Sequence, residues 1–559
     1  MRSHLRELLS QAIDKTAKGG ELNSTVLPPL RLEPPKQREF GDLATNVAML
    51  WAKTAKKPPR AIAELILKNI EDPDGIIARR EIAGPGFLNF AFAPKFYYQR
   101  LRELAADKEP RLDLGRGEKV QVEFASVNPT GPLHVGHGRV AAIGDALARL
   151  HQATGFDVQK EYYVNDAGKQ MENLGLSIEA RYRELFGETV EFPAEGYPGD
   201  YVIDVAKSLK ASAGDKFLHD DAAVKYFTQH GGAALLETIR RQLGAFGIEF
   251  DSFFSEKALR ERSEVAHSMD LLRARGLLYT QDGAEWFRST QFGDDKDRTV
   301  IKSDGDLTYF ASDIAYHRNK FERKFTRLIN VWGADHHGYV ARLKAAMRGL
   351  GYNADILRVV LVQMVQLTRG GEPVRMGKRT GEFVTLDEVL QEVGRDAARF
   401  FFLMRKSDSQ LDFDLELAKR QSSDNPVFYV QYAHARVASI LEQAQKAGIV
   451  WNSSDTGRLA LERLELAEEL ELIRRMIQFN DVLEEALQDL EPHRMIFYLL
   501  ELAGDFHRYY NRHRIISDDR GLSHARLLLV VNAQKTIRRG LEILGVDAPL
   551  RMASLSDGE

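Results

Sequence analysis

The stretch of residues 119–150 constrains the fold of this chain more than any other. Apolar residues at 120, 122 and 124 alternate with polar ones, which predicts a β-strand. Prolines and a glycine interrupt this pattern at 129–132, and an Ala- and Leu-rich run from about 134 to 150 predicts a helix. The N-terminal N–H groups and the positive dipole end of such a helix attract phosphate. We therefore expect a nucleotide-phosphate site at this turn.

Two histidines occupy the first turn of the predicted helix. His134 and His137 are three residues apart and so share a face, where their imidazoles can donate to phosphate oxygens. Gly136 lies between them and has no side chain to keep a planar base away. The simpler alternative is a helix start with two solvated histidines.

A family resemblance begins at these residues. Residues 134–137 match the HIGH motif of class I aminoacyl-tRNA synthetases, and residues 126–131 before it resemble bacterial arginyl-tRNA synthetases. The other half of such a site is a mobile basic loop, and residues 374–385 resemble the KMSKS loop of the family. The resemblance implies a doubly wound, Rossmann-like parallel sheet that binds ATP.

The basic loop departs from the family pattern in three places. Arg375 stands at the first lysine, Gly377 at the first serine, and Arg379 replaces the last serine, whereas Lys378 keeps the second lysine. An amine on a Gly-flanked loop can follow the charge that develops as pyrophosphate leaves. An ordinary basic surface turn is the alternative for this segment alone.

The resemblance also assigns roles to individual residues. It implies transition-state stabilisation by His134, His137 and Lys378. The implied ATP-binding residues are Gly136, Asp335, Arg375, Met376 and Gly377. The implied arginine-binding residues are Glu123, Ser126, Asn128, Glu256, Tyr309, Asp313 and His336.

Side-chain chemistry supports the amino-acid assignment. A guanidinium is a planar fork of five donors, so its pocket should offer carboxylates and an aromatic ring at fixed geometry. Tyr309 and Asp313 are four residues apart and share a face if that segment is helical. In the resembled family the matching tyrosine and aspartate hold the guanidinium, and Glu256 would supply a second carboxylate. A core-facing Tyr309 and a helix-capping Asp313 are the structural alternatives.

Composition sets the outer limits. The chain has 559 residues, 44% of them hydrophobic and 28% charged, which is typical of a folded protein with three or four domains. It contains no cysteine, which excludes disulfides and thiolate zinc sites and favours the cytoplasm. No run approaches the roughly 20 apolar residues that span a bilayer. We expect a cytoplasmic protein that does not bind membranes.

The chain divides into three predicted domains. Residues 1–112 predict an α+β N-terminal domain that resembles the additional, tRNA-contacting domain of the family. Residues 113–404 alternate apolar strands with helices, which is typical of a parallel doubly wound sheet, with an insertion at about 165–290. Residues 405–559 predict an all-α bundle with helices at 426–447, 459–490 and 495–510 and a final pair after 523. This bundle resembles the anticodon-binding domain.

The bundle carries the expected RNA face. Although the net charge is −4, residues 493–540 hold more Lys and Arg than Asp and Glu, and residues 506–514 interleave aromatic and cationic side chains. Such side chains contact phosphates and stack on unpaired bases. The expected tRNA-binding residues are Gln431, Arg436, Tyr509, Arg512 and Arg514. Packing of the same aromatic rings in the bundle core is the alternative.

The expected partners are L-arginine, ATP and tRNA(Arg), and we expect a monomer. Magnesium should bind mainly through the ATP phosphates. The adjacent His336 and His337 also suggest a metal site, but a zinc site normally needs three or four ligands, so we expect no zinc. Two other functions stay open: a non-catalytic RNA-binding paralogue, and another class I synthetase.

Overall fold

The computed structural model describes residues 1–19, 27–106, 112–220, 222–374, 384–449 and 459–552. Within these ranges no helix combines the length and the apolar character that a bilayer crossing requires.

The N-terminal region is an α+β unit, as the sequence predicts. Its elements are α1 (Arg2–Lys18), β1 (Leu43–Thr45), α2 (Val47–Ala55), α3 (Pro59–Asn69), β2 (Ile77–Ala83), β3 (Phe87–Phe92) and α4 (Pro94–Ala105). The strands form an antiparallel sheet in the order β1-β3-β2. Helix α1 buries Leu5, Leu9 and Ile13 at helical spacing, and this apolar stripe fixes it to the unit.

A five-stranded parallel sheet forms the centre of the molecule. Its strands and flanking helices begin with β4 (Lys119–Phe124), α5 (Val135–Ala153), β5 (Asp157–Val164), α6 (Lys169–Glu184), α7 (Asp200–Ala213), α8 (Ala223–Ala245) and β6 (Ser252–Ser255). They continue with α9 (Glu256–Glu261), α10 (Glu264–Ala274), β7 (Leu278–Gln281), β8 (Ala284–Phe287), β9 (Arg298–Ile301), α11 (Tyr309–Glu322), β10 (Arg327–Gly333), α12 (Tyr339–Gly349) and β11 (Leu357–Val362). The strand order is β11-β10-β4-β5-β6, which confirms the predicted doubly wound parallel sheet.

The stretch 165–290 contributes to more than one layer. Helices α6, α7 and α8 enclose their own apolar cluster around Tyr182 and Phe227. Strand β6 then pairs with β5 and so belongs to the central sheet. Strands β7, β8 and β9 form a separate antiparallel sheet.

Helix α5 lies very close to strand β4. A Cβ atom added at Gly144 would lie 2.1 Å from the Phe124 ring, so no larger residue fits there without movement. This close approach fixes the start of α5 above the carboxyl end of β4.

A short mixed sheet follows the central one. It comprises β12 (Val365–Arg369), β13 (Glu372–Pro373) and β14 (Leu411–Asp414), with α13 (Leu386–Val393), α14 (Arg395–Leu403) and α15 (Leu415–Lys419) around it. Arg139 of α5 is buried and donates to the carbonyls of Gln363 and Ser409 (2.8 Å each) and Lys406 (3.0 Å). Helix α5 therefore holds the bases of β12 and β14.

The C-terminal region is the predicted helical bundle. Its helices are α16 (Pro426–Lys446), α17 (Ala467–Ile477), α18 (Phe479–Asp489), α19 (His493–Arg512) and α20 (Arg520–Leu544). Two details of the prediction were wrong. The helix expected at 459–490 is two helices that meet at Gln478, and the pair expected after 523 is the single helix α20.

The three regions share one continuous apolar core. The buried guanidinium of Arg399 in α14 also joins three segments. It donates to Asp145 of α5 (2.6 Å), to the carbonyl of Phe246 after α8 (3.1 Å) and to the carbonyl of Leu544 in α20 (3.0 Å). The bundle is thereby bound directly to the helix that starts at the histidine pair.

Candidate active site

The candidate site lies along the carboxyl edge of the central sheet. Since all five strands are parallel, the segments that follow them meet at the same edge. Residues 125–134 follow β4, Asn165 follows β5, Glu256 follows β6 and Asp335 follows β10. The strand order reverses at β4: the chain first adds β5 and β6 on one side of β4 and then β10 and β11 on the other. Ligands of such sheets bind in the crevice at this switch point, between β4 and β10.

The turn after β4 is held in an unusual backbone conformation. Ala125 has a φ of 54°, in the left-handed region that non-glycine residues rarely adopt. The Tyr162 hydroxyl donates to the carbonyl of Val127 (2.6 Å) and accepts from its N–H (3.1 Å). This buried tyrosine thus fixes the path of the chain into α5.

His134 and His137 cap helix α5 reciprocally. Nδ1 of His134 accepts from the N–H groups of Gly136 (3.1 Å) and His137 (3.4 Å). Nδ1 of His137 accepts from the N–H of His134 (3.2 Å). The two rings stack with their centroids 3.4 Å apart. A Cβ atom at Gly136 would lie 3.0 Å from the His134 ring, so the glycine leaves room for this arrangement.

The capping bonds determine where each ring carries its proton. A backbone N–H can only donate, so each Nδ1 must be an acceptor, and the neutral ring then has its proton on Nε2. Burial lowers the pKa of His134. Burial, together with the neighbouring His134, lowers the pKa of His137 to about 3. Both rings are therefore neutral near pH 7, and each has an Nε2–H that can donate to an anion.

The basic loop itself, with Arg375, Met376, Gly377 and Lys378, lies outside the described residues. Its two flanks are described. Val374 donates to the Leu367 carbonyl (2.9 Å). On the other side, the Val384 carbonyl accepts from Val135 (3.2 Å), and Leu386 donates to the Leu133 carbonyl (2.8 Å). The second flank therefore pairs with the histidine turn.

Helix α11 carries two of the predicted guanidinium ligands. Thr308 caps this helix by accepting from the Ala311 N–H (3.3 Å). The helix begins at Tyr309, so Tyr309 and Asp313 lie one turn apart on one face, as expected. Tyr309 is 56% exposed, and its hydroxyl lies 3.8 Å from the place a Cβ atom would occupy at Gly168. Its ring therefore borders an open space and is not a core residue.

Two of the three acidic side chains at this site already have cationic partners. Glu123 is buried and accepts from Lys320, which also donates to Asn330 (2.9 Å). The other Glu123 oxygen accepts from the Ser126 hydroxyl (3.0 Å). Oε1 of the buried Glu256 accepts two bonds from Arg260 (3.0 and 2.6 Å).

Asp313 is the carboxylate that lacks such a partner. Its Oδ2 accepts from the Tyr339 hydroxyl, and no Lys or Arg of the described residues forms an ion pair with it. Burial is the main cause that raises the pKa of Asp313 to about 7, and the charges of Glu256 and Glu123 act in the same direction. The Tyr339 hydrogen bond and the charge of Lys320 oppose this shift. The pocket thus has one negative charge that a single cationic ligand could neutralise.

The other described residues that were predicted to bind arginine or ATP lie at the same edge of the sheet. The Asn128 amide donates to the Gln170 side chain. Asp335 and His336 follow β10, are 79% and 57% exposed, and lie 3.5 Å apart. The His336 ring lies 6.0 Å from the ring of Trp332.

Sequence reasoning missed four residues of this pocket: Tyr163, Lys320, Tyr339 and Arg260. Tyr339 contacts it from α12, so no spacing within the motifs identifies it. Lys320 lies on α11, two helical turns after Asp313 on the same face, but its contact with Glu123 depends on how the helix packs on β4. Strand periodicity did offer a signal for Tyr163. Successive side chains of a strand point to opposite faces, so Tyr162 and Tyr163 must lie on opposite faces of β5.

The predicted RNA-binding residues occupy different environments. Tyr509 is fully buried and donates to Glu469 (3.0 Å), and Gln431 is 8% exposed and donates to Asp396 (2.9 Å). Arg436 is half-buried between the rings of Tyr432 (4.5 Å) and Tyr510 (4.7 Å).

Arg512 and Arg514 are exposed. Arg512 is 3.4 Å from Glu468, and the Arg514 carbonyl accepts from Arg526 (2.7 Å). The structure therefore brings these two cations to the surface of the bundle, whereas Tyr509 packs in its core.

The described residues contain no group of three or more His, Cys, Asp or Glu side chains placed to hold a metal ion.

Three family models match successive parts of the chain. They are the arginyl tRNA synthetase N terminal domain at residues 3–92, the tRNA synthetases class I (R) catalytic domain at 101–420, and the DALR anticodon binding domain at 430–552. The catalytic model alone covers more than half of the sequence.

Similar proteins agree with these models over the full length. The arginine–tRNA ligases of Syntrophotalea carbinolica and Citrifermentans bemidjiense are each 50% identical to this chain, over 99% of it and 100% of the relative. The arginyl-tRNA synthetase of Thermus thermophilus superposes with a TM-score of 0.78 over 99% of this chain and 100% of that chain, at 24% identity. The Plasmodium falciparum arginyl-tRNA synthetase gives 0.76 over 98% and 99%, at 17% identity. These two structures support the fold.

Proposed function

The chain belongs to the arginyl-tRNA synthetase family, and from that premise we propose which of its residues perform each part of the reaction. The chain ligates L-arginine to tRNA(Arg). Arginine and ATP first form arginyl-adenylate and pyrophosphate. The arginyl group then passes to the terminal ribose of tRNA, and AMP leaves.

The guanidinium site is at Asp313. The observation that supports it concerns cationic partners: Glu123 and Glu256 are paired with Lys320 and Arg260, whereas Asp313 forms no ion pair with any Lys or Arg that the structure describes. A guanidinium beside Asp313 would neutralise the remaining charge with charge-assisted hydrogen bonds. Tyr309, one helical turn away, would cover the planar group. Glu256 would then act mainly through its negative charge, because Arg260 already occupies one of its oxygens.

The backbone end of arginine would lie toward the turn after β4. Asn128 and Ser126 project from this turn beside the histidine pair, and Ser126 is bonded to Glu123. Amide and hydroxyl groups suit the α-amino and carboxylate groups of an amino acid. His336, exposed across the crevice, would contact the same end.

ATP would lie over the histidine turn. The Nε2–H groups of His134 and His137 would donate to its phosphates, with the N-terminal dipole of α5 adding to the attraction. The adenosine would lie over Gly136. The carboxylate of Asp335 would accept from the ribose hydroxyls. By sequence, Arg375, Met376 and Gly377 of the basic loop complete this site.

The chemical step is in-line attack of the arginine carboxylate on the α-phosphorus, with pyrophosphate as the leaving group. The protein forms no covalent bond to the substrates in this step, so catalysis depends on positioning the reactants and stabilising the developing charge. The neutral donors of His134 and His137 would stabilise the charge on the phosphates, and Lys378 would do so on the leaving group. Magnesium would arrive on the ATP phosphate oxygens, where it adds positive charge.

The bundle surface around Arg512 and Arg514 would contact tRNA(Arg) through its phosphates, and the N-terminal unit would touch the tRNA elbow. We propose that the enzyme acts as a monomer, since all the residues assigned here come from one chain. Because ribosomes consume charged tRNA, we place it in the cytoplasm.

Aminoacylation of total tRNA with each of the twenty amino acids tests this proposal. We expect charging with arginine alone. Asp313→Asn should raise the KM for arginine about 10- to 100-fold while the KM for ATP stays near wild type, since a hydrogen bond to a charged group contributes about 1.5–3 kcal/mol. Glu322→Gln on the exposed face of the same helix serves as the matched control. Charging with another amino acid would contradict the function, and an unchanged arginine KM in Asp313→Asn would remove Asp313 from the pocket.

A further inference from the structure

A buried tyrosine hydroxyl beside the proposed guanidinium site makes no hydrogen bond of normal geometry with the described residues. Tyr163, near the end of β5, packs its ring against Tyr316 (4.4 Å between centroids) and Phe254 (6.4 Å). Its hydroxyl oxygen is inaccessible to solvent, and no group of the described residues meets it at hydrogen-bonding geometry. A buried hydroxyl without a partner destabilises the fold that contains it, so its presence points to a ligand.

The surroundings of this hydroxyl are the carboxylates of the same pocket. Burial raises the pKa of Tyr163, and so do the negative charges of Glu256 and Asp313 and the close approach of the Glu256 carboxylate to the hydroxyl. The hydroxyl is therefore protonated. Glu256 is already engaged: Arg260 occupies Oε1, and the Asn165 amide, with its nitrogen toward Glu256, donates to Oε2 at 3.0 Å. Oδ2 of Asp313 accepts from Tyr339. The hydroxyl therefore lies where a cation drawn to Asp313 would also meet it.

We propose that Tyr163 is a specificity-determining residue whose hydroxyl accepts a hydrogen bond from the guanidinium of the substrate arginine beside Asp313. This inference rests on the proposed function, because it takes Asp313 as the guanidinium site. A guanidinium has five N–H donors in one plane, and a single carboxylate can accept only two of them in parallel. A hydroxyl beside the carboxylate accepts a further donor of the same plane, whereas the three donors of a compact ammonium group diverge and do not form a parallel pair to one carboxylate.

The neighbouring Tyr162 provides a matched comparison on the same strand. Its hydroxyl lies on the opposite face of β5 and makes two hydrogen bonds with the backbone of Val127. Its role is structural in the free protein. Replacing each tyrosine by phenylalanine removes one oxygen atom from each face of the strand.

The test compares Tyr163→Phe with Tyr162→Phe and wild type. Melting temperatures are measured without ligand, and arginine and ATP kinetics by ATP–pyrophosphate exchange in the presence of tRNA. For Tyr163→Phe we expect a melting temperature equal to or above wild type, an arginine KM raised about 10-fold or more, and an unchanged ATP KM. Tyr162→Phe should melt below wild type, because it loses two satisfied hydrogen bonds.

Two results would overturn the inference. One is an arginine KM for Tyr163→Phe equal to that of wild type. The other is a fall in its melting temperature like that of Tyr162→Phe, which would make the hydroxyl structural. A failure of the proposed function looks different, because wild type itself would then show no arginine-dependent exchange.

Discussion

At the scale of single residues, each imidazole in the first turn of α5 has two proposed roles, one for each ring nitrogen. Nδ1 of His134 and of His137 caps the helix, and the opposite ring nitrogen carries the proton that we propose to donate to phosphate. The low pKa of His137, about 3, keeps that donor neutral over the whole physiological range. On this proposal, helix stability and phosphate binding depend on the same side chains, and substitutions can separate the two effects.

His134→Asn and His134→Ala separate these two roles. Asparagine keeps an acceptor suited to the N-cap but lacks the ring donor, so we expect a near-normal melting temperature and adenylate formation slower by about 10²–10³-fold. Alanine removes both, and should also cost about 1 kcal/mol of stability. Thermal denaturation and ATP–pyrophosphate exchange measure the two effects. A wild-type exchange rate in the asparagine variant would show that the ring donor has no part in the reaction.

The residues that sequence could identify are those whose function depends on local spacing. His134 and His137 share a helical turn, and so do Tyr309 and Asp313, so their placement follows from helix geometry alone. Lys320 and Tyr339 reach the pocket only because α11 and α12 pack on particular strands. Their contacts with Glu123 and Asp313 follow from tertiary packing that no single segment contains.

At the scale of elements, α11 is fixed to the sheet by two ion pairs. Lys320 bonds to Glu123 of β4, and Arg323 forms a bidentate pair with Glu161 of β5 (2.6 and 2.9 Å). These contacts set the height of Asp313 above the strands. The orientation of the proposed guanidinium pocket therefore depends on a buried charge pair about two helical turns away from it.

Lys320→Met tests this attachment. This substitution leaves Glu123 buried without a counter-charge. We expect the free energy of unfolding to fall by about 3–5 kcal/mol, measured by thermal or urea denaturation. Adding Glu123→Gln in the same chain removes the uncompensated charge and should recover much of the stability. If the double variant is no more stable than Lys320→Met, the two side chains do not form the coupled pair described here.

Element types followed from sequence better than element ends. The parallel strands and long helices were predictable from hydrophobic periodicity, because burial dictates it. The single helix α20 was not, since a glycine inside a helical run resembles a break. In the fold, Gly540 instead permits close packing, because a Cβ atom there would lie 2.7 Å from Leu499. Similarly, no proline or glycine marks the junction of α17 and α18 at Gln478.

At the scale of the whole molecule, the bundle and the histidine turn are mechanically connected. Arg399 and Asp145 form a fully buried ion pair that also holds the ends of α8 and α20. Arg149 adds bonds from α5 to the Glu542 carbonyl (3.3 Å) and to Asp145 (2.7 Å). A shift of the bundle would therefore move the helix that carries His134 and His137, the proposed catalytic histidines.

The outer surface of the bundle should bind tRNA phosphates. Arg512→Ala combined with Arg514→Ala should weaken tRNA binding and reduce the log–log salt slope by roughly 0.7–0.9 for each phosphate that the variant no longer neutralises. Stability should hardly change, because the exposed pair of Arg512 with Glu468 contributes little. Binding titrations across a salt series give the slope. A variant that melts earlier yet binds tRNA with the wild-type slope would show that this run is structural.

The central claim is that Asp313 is the carboxylate that receives the substrate guanidinium, and proton release on arginine binding tests it most directly. Burial raises the pKa of Asp313 to about 7, and a bound guanidinium must lower it, so arginine binds the ionised form. Affinity should therefore be flat above about pH 7 and fall about tenfold per unit below it. Calorimetry in buffers of different ionisation enthalpy should show close to one proton released at pH 6 and almost none at pH 8, with weak, pH-independent binding by Asp313→Asn. Arginine affinity that is independent of pH in wild type, or equal in Asp313→Asn, would contradict the claim.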